Sequence, residues 1–270
     1  MRRIRSTALT AITWVVCLAF FFPVAWMAIT AFRSESDAAS SPPLLFAPGT
    51  LEQFERVFDR DMGAYLLNSA AASIGSTLLV LLLAIPAAYG LSIRPIKRVQ
   101  DVLFFFISTR FLPAAASILP VYFILKTIGA LDTVGALLLL YSAMNLPIAV
   151  WMMRSFFSEV PHEIIEAAQV DGANLRTELL RVALPIVLPG VAAAALICFI
   201  FAWNEYFFAT LLTSHDARTT PPFLASFVDG RGQFLAVLSA ASTIAVLPVI
   251  AAGWIAQKQL VRGLAMGAIK

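Results

Sequence analysis

The segment from Ser155 to Gly190 reads SFFSEVPHEIIEAAQVDGANLRTELLRVALPIVLPG, and its character changes along its length. Its first part is rich in charged and amide side chains, whereas the residues from Val182 onward are almost all apolar. One apolar run, Val134–Met153, ends just before the segment, and another, Val182–Leu212, begins within it. A helix needs about 20 mainly apolar residues to cross a lipid bilayer. A polar element therefore joins two runs that are long enough to span a membrane.

Four further apolar runs of similar length lie elsewhere in the chain: Leu9–Phe32, Tyr65–Ser92, Val102–Leu125 and Phe234–Gln257. The sequence of 270 residues is 60% hydrophobic and 13% charged, whereas about a quarter of the residues in a soluble domain are charged. So little charge cannot cover the surface of a soluble protein of this size. We therefore predict an all-α, polytopic membrane protein that has six transmembrane helices and forms a single domain over residues 1–270.

The Lys and Arg residues outside the runs predict the orientation of the helices. If the N-terminus is cytoplasmic, most of them fall on the cytoplasmic side: Arg2, Arg3, Arg5, Arg94, Lys97, Arg98, Arg154, Arg176, Arg181, Lys258, Arg262 and Lys270. Fewer fall on the outer side: Arg33, Arg56, Arg60, Lys126, Arg218 and Arg231. Cytoplasmic loops carry the excess of positive charge in membrane proteins. We therefore expect both termini to lie in the cytoplasm.

The polar segment has the pattern of two short helices joined by a turn, parallel to the membrane. Pro161 suits the first turn of a helix, and Glu163 and Glu166 lie near the positive N-terminal end of that helix. Ala167–Ala168 would leave a smooth surface that fits closely into a groove. Asp171–Gly172 ends the helix, because glycine adopts positive φ freely. The same pattern also suits an amphipathic surface helix that has no partner.

The spacing of residues in this segment resembles the signature of ABC importer permeases. That signature is EAA, three residues, G, nine residues, I, one residue, LP, and it is matched here by Glu166-Ala167-Ala168, Gly172, Val182 and Leu184-Pro185. Valine in place of isoleucine is a conservative departure. Two other segments, Trp203-Asn204-Glu205 and Leu260–Lys270, are similar to the carbohydrate-uptake (maltose-type, binding-protein-dependent) branch of the family. The resemblance covers the second half of the chain closely and the first half more loosely.

The resemblance implies the type I ABC importer permease architecture and the uptake of a sugar or sugar alcohol across the bacterial cytoplasmic (inner) membrane. In the family, a coupling helix in the loop at 155–182 docks into a cleft of the ATP-binding subunit. The implied partners are a second permease subunit that completes a heterodimer, two ATP-binding subunits, an external solute-binding protein and membrane lipid, with no nucleic acid. The resemblance assigns eight residues to ATPase coupling: Glu163, Glu166, Ala167, Ala168, Asp171, Gly172, Leu184 and Pro185.

The sequence has no pattern that is typical of an enzyme or of a metal site. It lacks the GxxxxGK[ST] loop that holds ATP phosphates, so we expect ATP and Mg²⁺ to be bound by the partner ATPase and this chain to hold no cofactor. HExxH and GxSxG patterns are absent as well. The two cysteines, Cys17 and Cys198, lie inside apolar runs and lack the spacing of metal ligands. We therefore predict a transport subunit with no catalytic residue.

Two charged side chains, Arg110 and Glu205, lie within the predicted spans. A charge at the centre of a bilayer costs at least a few kcal/mol, which favours a position facing a cavity or a partner. If both helices are straight, Arg110 lies about 12 Å and Glu205 about 30 Å from the cytoplasmic face. This separation in depth argues against a direct ion pair, and Glu205 also suits a place at the membrane interface.

Three further side chains in the spans, Asn145, Trp203 and Asn204, can offer hydrogen bonds and a stacking surface to a sugar. Together with Arg110 and Glu205 they form the predicted substrate pathway. Buried asparagine can equally hold helices together. The residue types alone do not separate these two roles.

Two alternative functions stay open at the level of sequence. The first is the same machinery with a phosphorylated polyol as the substrate, in which Arg110 would be the anion partner. The second is a secondary transporter, which would need intramembrane carboxylates as proton or sodium sites. Glu205 is the one carboxylate within the predicted spans, and a secondary transporter would leave the signature in the polar segment unexplained.

Overall fold

The computed structural model describes residues 2–44, 46–94, 97–228 and 234–267, with the side chains of residues 9–44, 46–94, 97–228 and 234–259. Several residues used above lie outside the described side chains: Arg2, Arg3, Arg5, Arg231 and the segment Leu260–Lys270.

The described residues are mostly helical, and no strand occurs among them. In chain order the helices are α1 (Arg2–Thr30), α2 (Glu35–Ala38), α3 (Glu52–Phe58), α4 (Met62–Ser92), α5 (Val99–Ser108), α6 (Ala114–Thr127), α7 (Val134–Phe157), α8 (His162–Val170), α9 (Leu175–Thr177), α10 (Leu184–Ile186), α11 (Leu188–Trp203), α12 (Phe207–Leu212), α13 (Thr220–Ala225) and α14 (Leu235–Gly267). A 3₁₀ turn, Thr109–Phe111, follows α5, and a π-helical segment, Glu178–Ala183, joins α9 to α10. The predicted all-α class is confirmed.

Four single helices are long and apolar enough to cross a membrane: Leu9–Thr30 within α1, α4, α7, and Leu235–Gln259 within α14. Two bent pairs have the same character. Val99–Phe111 and Ala114–Thr127 meet at 89°, and Leu175–Ile186 and Leu188–Trp203 meet at 80°. The six predicted spans correspond to these four helices and two bent pairs, which confirms the polytopic fold.

The two bent pairs replace the continuous spans that were predicted over Val102–Leu125 and Val182–Leu212. The first pair is broken at Pro113, because proline disfavours the helical conformation of the residue before it, and that residue is extended here (φ −66°, ψ 121°). The second pair is broken at Val187 (φ −90°, ψ 10°), just before Pro189 in the first turn of α11. Proline suits that place because it has no backbone N–H to donate.

The described helices form two compact units, and the first comprises Met1–Ala64 and Phe223–Leu247. In this unit the carboxylate of Glu35 accepts hydrogen bonds from the backbone N–H groups of Ala236 (2.9 Å) and Val237 (2.8 Å). A carboxylate at this place satisfies N–H groups at the start of α14 that have no partner within the helix.

The second unit comprises Tyr65–Pro222 and Pro248–Lys270. Its central helix is α7, which packs against both α5 and α11. Gly190 of α11 lies so close to the ring of Phe156 that even a methyl group in place of its hydrogen would collide with the ring. Small residues at helix contacts are typical of membrane bundles, where they allow helices to approach closely.

Hydrogen bonds to Asp132 connect two loops of the second unit. Its carboxylate accepts hydrogen bonds from the backbone N–H groups of residues 214–217, at 3.0 to 3.1 Å, and from the Ser214 hydroxyl at 2.7 Å. Partial burial acts to raise the pKa of Asp132, but the hydrogen bonds from His215 and its neighbours outweigh it and lower the pKa below its usual range. The ionised carboxylate therefore holds the loop before α7 against the loop after α12.

Candidate functional site

The polar element between the fourth and fifth predicted spans begins with α8. This helix starts directly after Pro161 and ends at Val170. Beyond it, Gly172 has a φ of +82°, and the N–H groups of Gly172 and Ala173 donate to the carbonyls of Gln169 (3.0 Å) and Ala168 (2.9 Å). This pair of bonds is the Schellman motif, in which a residue of positive φ ends a helix and satisfies its last carbonyls.

A second helix follows the turn. The side chain of Asn174 accepts a hydrogen bond from the N–H of Thr177 at 2.9 Å and so caps the start of α9. From Leu175 the chain stays helical through the π-helical segment to Ile186. The predicted order of helix, turn and helix is therefore present in the structure.

One face of α8 is held against the rest of the second unit. Ile165 is 3% exposed and belongs to an apolar cluster with Tyr89 of α4, Phe157 of α7 and Ala183 of the π-helical segment. The rings of Tyr89 and Phe157 meet edge to face, with 5.6 Å between their centroids. The element is therefore packed against α4 and α7 rather than suspended as a free loop.

The other face of α8 carries three of the eight side chains that the family resemblance assigns to coupling. Glu163, Glu166 and Ala167 are exposed, and Val170, on the same face, is 88% exposed. This face of α8 therefore presents the carboxylates of Glu163 and Glu166 beside the apolar side chain of Val170.

The remaining residues assigned to coupling lie apart from this face. Ala168 is partly buried, and Asp171 and Gly172 are exposed in the turn. Leu184 packs against the apolar cluster around Ile165, and Pro185 is exposed. Their assignment to coupling stays a prediction.

Sequence reasoning missed one residue of this element. Glu178, the first residue of the π-helical segment, is fully buried, and its carboxylate accepts hydrogen bonds from Tyr89, Arg94 and Gln169. The available signal was a carboxylate directly before an apolar run. That signal suits the solvent-exposed face of an amphipathic helix equally well.

A cavity of about 180 Å³ lies within the second unit. Its lining residues are Arg110, Tyr141, Met144, Asn145, Phe201, Ala202 and Glu205. Arg110 lies in the 3₁₀ turn at the bend between α5 and α6. Its guanidinium donates a hydrogen bond to the carbonyl of Met144 at 2.8 Å and lies 5.6 Å from the centre of the Phe201 ring.

The cavity corrects the separation in depth that was calculated for Arg110 and Glu205. Both residues line it, although the calculated depths separate them. The ion pairs of the described residues do not include one between Arg110 and Glu205, so the prediction against a direct ion pair is not contradicted. The calculation assumed straight helices, whereas the chain bends after Arg110 and α11 ends before Glu205. The carboxylate of Glu205 accepts hydrogen bonds from the N–H groups of Phe208 and Ala209, both at 3.0 Å, at the start of α12.

Two more polar groups lie at the cavity. The side chain of Asn145 is buried in the wall. The hydroxyl of Tyr141 is buried near the Glu205 carboxylate and has no hydrogen-bond partner of normal geometry among the described residues.

The other two residues of the predicted substrate pathway lie outside the cavity lining. Trp203 is buried and packs against Phe199, with 5.6 Å between the ring centroids. Asn204 is exposed and donates a hydrogen bond to the carbonyl of Ile200 at 2.8 Å. Their contact with substrate stays a prediction.

No group of three or more His, Cys, Asp or Glu side chains is placed to hold a metal ion within the described part of the chain.

Residues 80–265 match the family described as the inner membrane component of binding-protein-dependent transport systems. A probable ABC transporter permease protein of Sinorhizobium fredii is 36% identical over 270 residues, which cover 100% of this chain and 97% of that protein. The trehalose/maltose transport system permease protein MalG of Thermococcus litoralis is 32% identical over 261 residues, with 95% and 92% covered.

The fold is shared with a solved structure. A chain of a bacterial ABC transporter involved in the import of the acidic polysaccharide alginate superposes with a TM-score of 0.77, at 22% identity, with 96% of this chain and 97% of that chain covered. The family match over residues 80–265 includes α8, the turn at Gly172 and the residues that line the cavity. The chain belongs to the family of binding-protein-dependent transport system inner membrane components, the permease subunits of ABC transporters, which are not themselves enzymes.

Proposed function

We propose that this permease imports a neutral carbohydrate or sugar alcohol that an external solute-binding protein delivers. The names of its relatives support a carbohydrate: one is a trehalose/maltose permease and another a diacetylchitobiose permease from Streptomyces coelicolor, 29% identical over 259 residues. The observation that carries the proposal is the polar cavity around Arg110, Asn145 and Glu205. Its uncharged groups are suited to hydroxyls, which both donate and accept hydrogen bonds.

In this proposal the cavity is one wall of the translocation pathway. Its volume of about 180 Å³ is smaller than the 300 to 1,000 Å³ of a typical small-molecule site. A second permease subunit would supply the opposite wall and complete a heterodimer. The two aromatic members of the lining, Tyr141 and Phe201, give the sugar ring apolar surfaces to pass.

The exposed face of α8 is proposed as the docking surface for an ATP-binding subunit. Glu163 and Glu166 can pair with basic side chains of that subunit, while Ala167 and Val170 fit a groove. ATP and Mg²⁺ would be bound entirely by two such subunits. When these subunits close on ATP, the displacement of α8 would reach α4 and α7 through the buried contacts of Ile165.

This arrangement requires α8 to face the cytoplasm. We accordingly propose the orientation that the Lys and Arg distribution predicts, in which both termini lie inside the bacterial inner membrane. The loops that Asp132 joins then lie at the outer side, where the binding protein would dock.

The alternative of a phosphorylated polyol finds less support at the cavity. The guanidinium of Arg110 already donates to the carbonyl of Met144, and the carboxylate of Glu205 lines the same space. A phosphate would therefore meet a negative charge there. Family membership leaves the alternative of a secondary transporter without support.

Reconstitution tests the proposal. The permease, its second permease subunit and the ATP-binding subunit would be placed in proteoliposomes with ATP on the side of α8, and the binding protein would be added on the other side. Labelled maltose, trehalose, diacetylchitobiose, sorbitol and sorbitol 6-phosphate would be offered separately.

Uptake of a neutral sugar or polyol that requires hydrolysable ATP and the binding protein is the expected result. Uptake of sorbitol 6-phosphate alone would overturn the substrate class. Full uptake without the ATP-binding subunit would overturn the mechanism.

A further inference from the structure

The buried carboxylate of Glu178 is the least expected feature of the polar element. The residue is 0% exposed, although Arg176 and Arg181, on either side of it in sequence, are exposed. Burial of an unpaired carboxylate is strongly unfavourable, so a buried carboxylate persists only where several donors surround it.

Three donors from three segments meet this carboxylate. One oxygen, Oε1, accepts a hydrogen bond from the hydroxyl of Tyr89 in α4. The other, Oε2, accepts from the guanidinium of Arg94, just beyond α4, at 3.0 Å and from the side-chain amide of Gln169 in α8 at 3.1 Å. We call these four residues the carboxylate cluster.

The carboxylate cluster joins α8 directly to α4. Gln169 lies on α8, Glu178 on the following helix, and Tyr89 in the last turns of α4. Hydrogen bonds to an ionised group are directional and about twice as strong as those between neutral groups. Apolar contacts such as that of Ile165 are not directional and permit sliding.

We propose that Glu178 is a positioning residue, which fixes α8 to the end of α4 through the carboxylate cluster so that a displacement of α8 moves α4. The inference rests on the proposed docking of α8 onto an ATP-binding subunit. The π-helical segment that begins at Glu178 fits this role, because π-bulges are rare and are frequently found at functional sites.

The test compares transport with ATP hydrolysis in the reconstituted importer. Glu178→Gln keeps the shape of the side chain but removes the charge, and Tyr89→Phe removes one hydrogen bond without changing the ring. Glu159→Gln and Arg98→Gln are matched controls, because both native residues are exposed on the same predicted side of the membrane.

For Glu178→Gln we expect the amount of sugar imported per ATP hydrolysed to fall about tenfold, which corresponds to the loss of one hydrogen bond to a charged group. Tyr89→Phe should lower the same ratio by a smaller factor, and the two controls should leave it unchanged. If Glu178 positions α8, its replacement lowers transport while ATP hydrolysis continues. If Glu178 only stabilises the fold, its replacement lowers transport, ATP hydrolysis and the yield of assembled complex together.

An unchanged ratio in Glu178→Gln would overturn the inference. If Glu178→Gln fails to assemble, Tyr89→Phe provides the test, because its ring can still pack against Phe157. The inference is then overturned if Tyr89→Phe imports as much sugar per ATP hydrolysed as the unaltered permease does. Failure of the proposed function is distinguishable, because the unaltered permease would then import no sugar.

Discussion

Replacement of Gly172 by proline should abolish uptake while leaving the permease in the membrane. The native residue has a φ of +82° and its N–H donates to the carbonyl of Gln169 at 3.0 Å. Proline fixes φ near about −65° and has no N–H, so the observed turn cannot form. Its loss should cost about 3 kcal/mol, the size of effect that proline has where it breaks a helix and removes a bond.

Gly172→Ala should give a graded version of the same defect. No atom outside the immediate chain lies within 4 Å of a Cβ placed there, so the change introduces strain without a collision. A side chain in the left-handed region costs about 1 to 2 kcal/mol, which shifts the balance between the observed turn and other conformations by about tenfold. Uptake should therefore be reduced rather than abolished.

Gly129 provides a matched control for both variants. It also has a positive φ, +67°, and open space around its Cβ position. It follows the end of α6, on the predicted outer side of the membrane, whereas α8 lies on the predicted cytoplasmic side. Gly129→Ala should carry the same backbone cost without loss of coupling. Uptake would be measured per molecule of permease in the membrane fraction, alongside substrate-stimulated ATP hydrolysis.

Two outcomes would refute this reasoning. Normal uptake by Gly172→Pro would mean that the geometry of the turn is irrelevant to coupling. An equal loss of uptake in Gly129→Ala and Gly172→Ala would mean that general destabilisation, and not the placement of α8, is being measured.

Three further outcomes are expected. Asp132→Asn should lower thermal stability at pH 7 by about 1 to 3 kcal/mol. The pKa of Asp132 is lower in the folded protein than in the unfolded chain. The stability that Asp132 adds is therefore fully present above its unfolded pKa and is lost as the pH falls through its folded pKa. The melting curves of the two proteins should accordingly converge only in strong acid. Gly190→Val should prevent folding, because the new side chain would collide with the ring of Phe156. Gly253→Val is the control, since the space around Gly253 is open, and it should still yield soluble complex in detergent. Normal assembly of Gly190→Val would contradict the close contact between Gly190 and Phe156. Val170→Ser should change stability by no more than about 0.5 kcal/mol but should weaken retention of the ATP-binding subunit during co-purification, and full retention would exclude Val170 from that interface.

The helical class and the turn at Gly172 could be read from the sequence because each depends on local chemistry. Long apolar runs require helices in a membrane, and glycine at the end of a short helix favours a positive φ. The bend at Pro113 could not be read in the same way. Proline occurs inside α4 and α7 without ending them, so whether it breaks a helix depends on neighbouring helices.

The two carboxylates that accept several hydrogen bonds, Glu178 and Asp132, were the larger omission. Glu178 stands at the start of an apolar run and Asp132 between two apolar runs, and nothing local shows that several donors will surround their carboxylates. Their donors come from distant parts of the chain, such as Tyr89 for Glu178. The wider turn of a π-helix also changes which side chains face inward, so counting at the α-helical period misplaces residues beyond it.

The geometry of α8 explains why an apolar contact and a charged one are both useful for transmission. Ile165 and Gln169 are four residues apart and therefore lie along one face of the helix, and each is held from that face, the first by the apolar cluster and the second by Glu178. Counted at 100° per residue, Glu163 and Val170 lie about 160° and about 140° around the helix from Ile165, whereas Glu166 lies between the two faces, about 60° from Gln169. A partner that pushes on the side of Glu163 and Val170 acts against two attachments one turn apart, so α8 cannot tilt away from its contact without breaking one of them. In the proposed mechanism the motion would then pass to α4, whose last turns carry Tyr89.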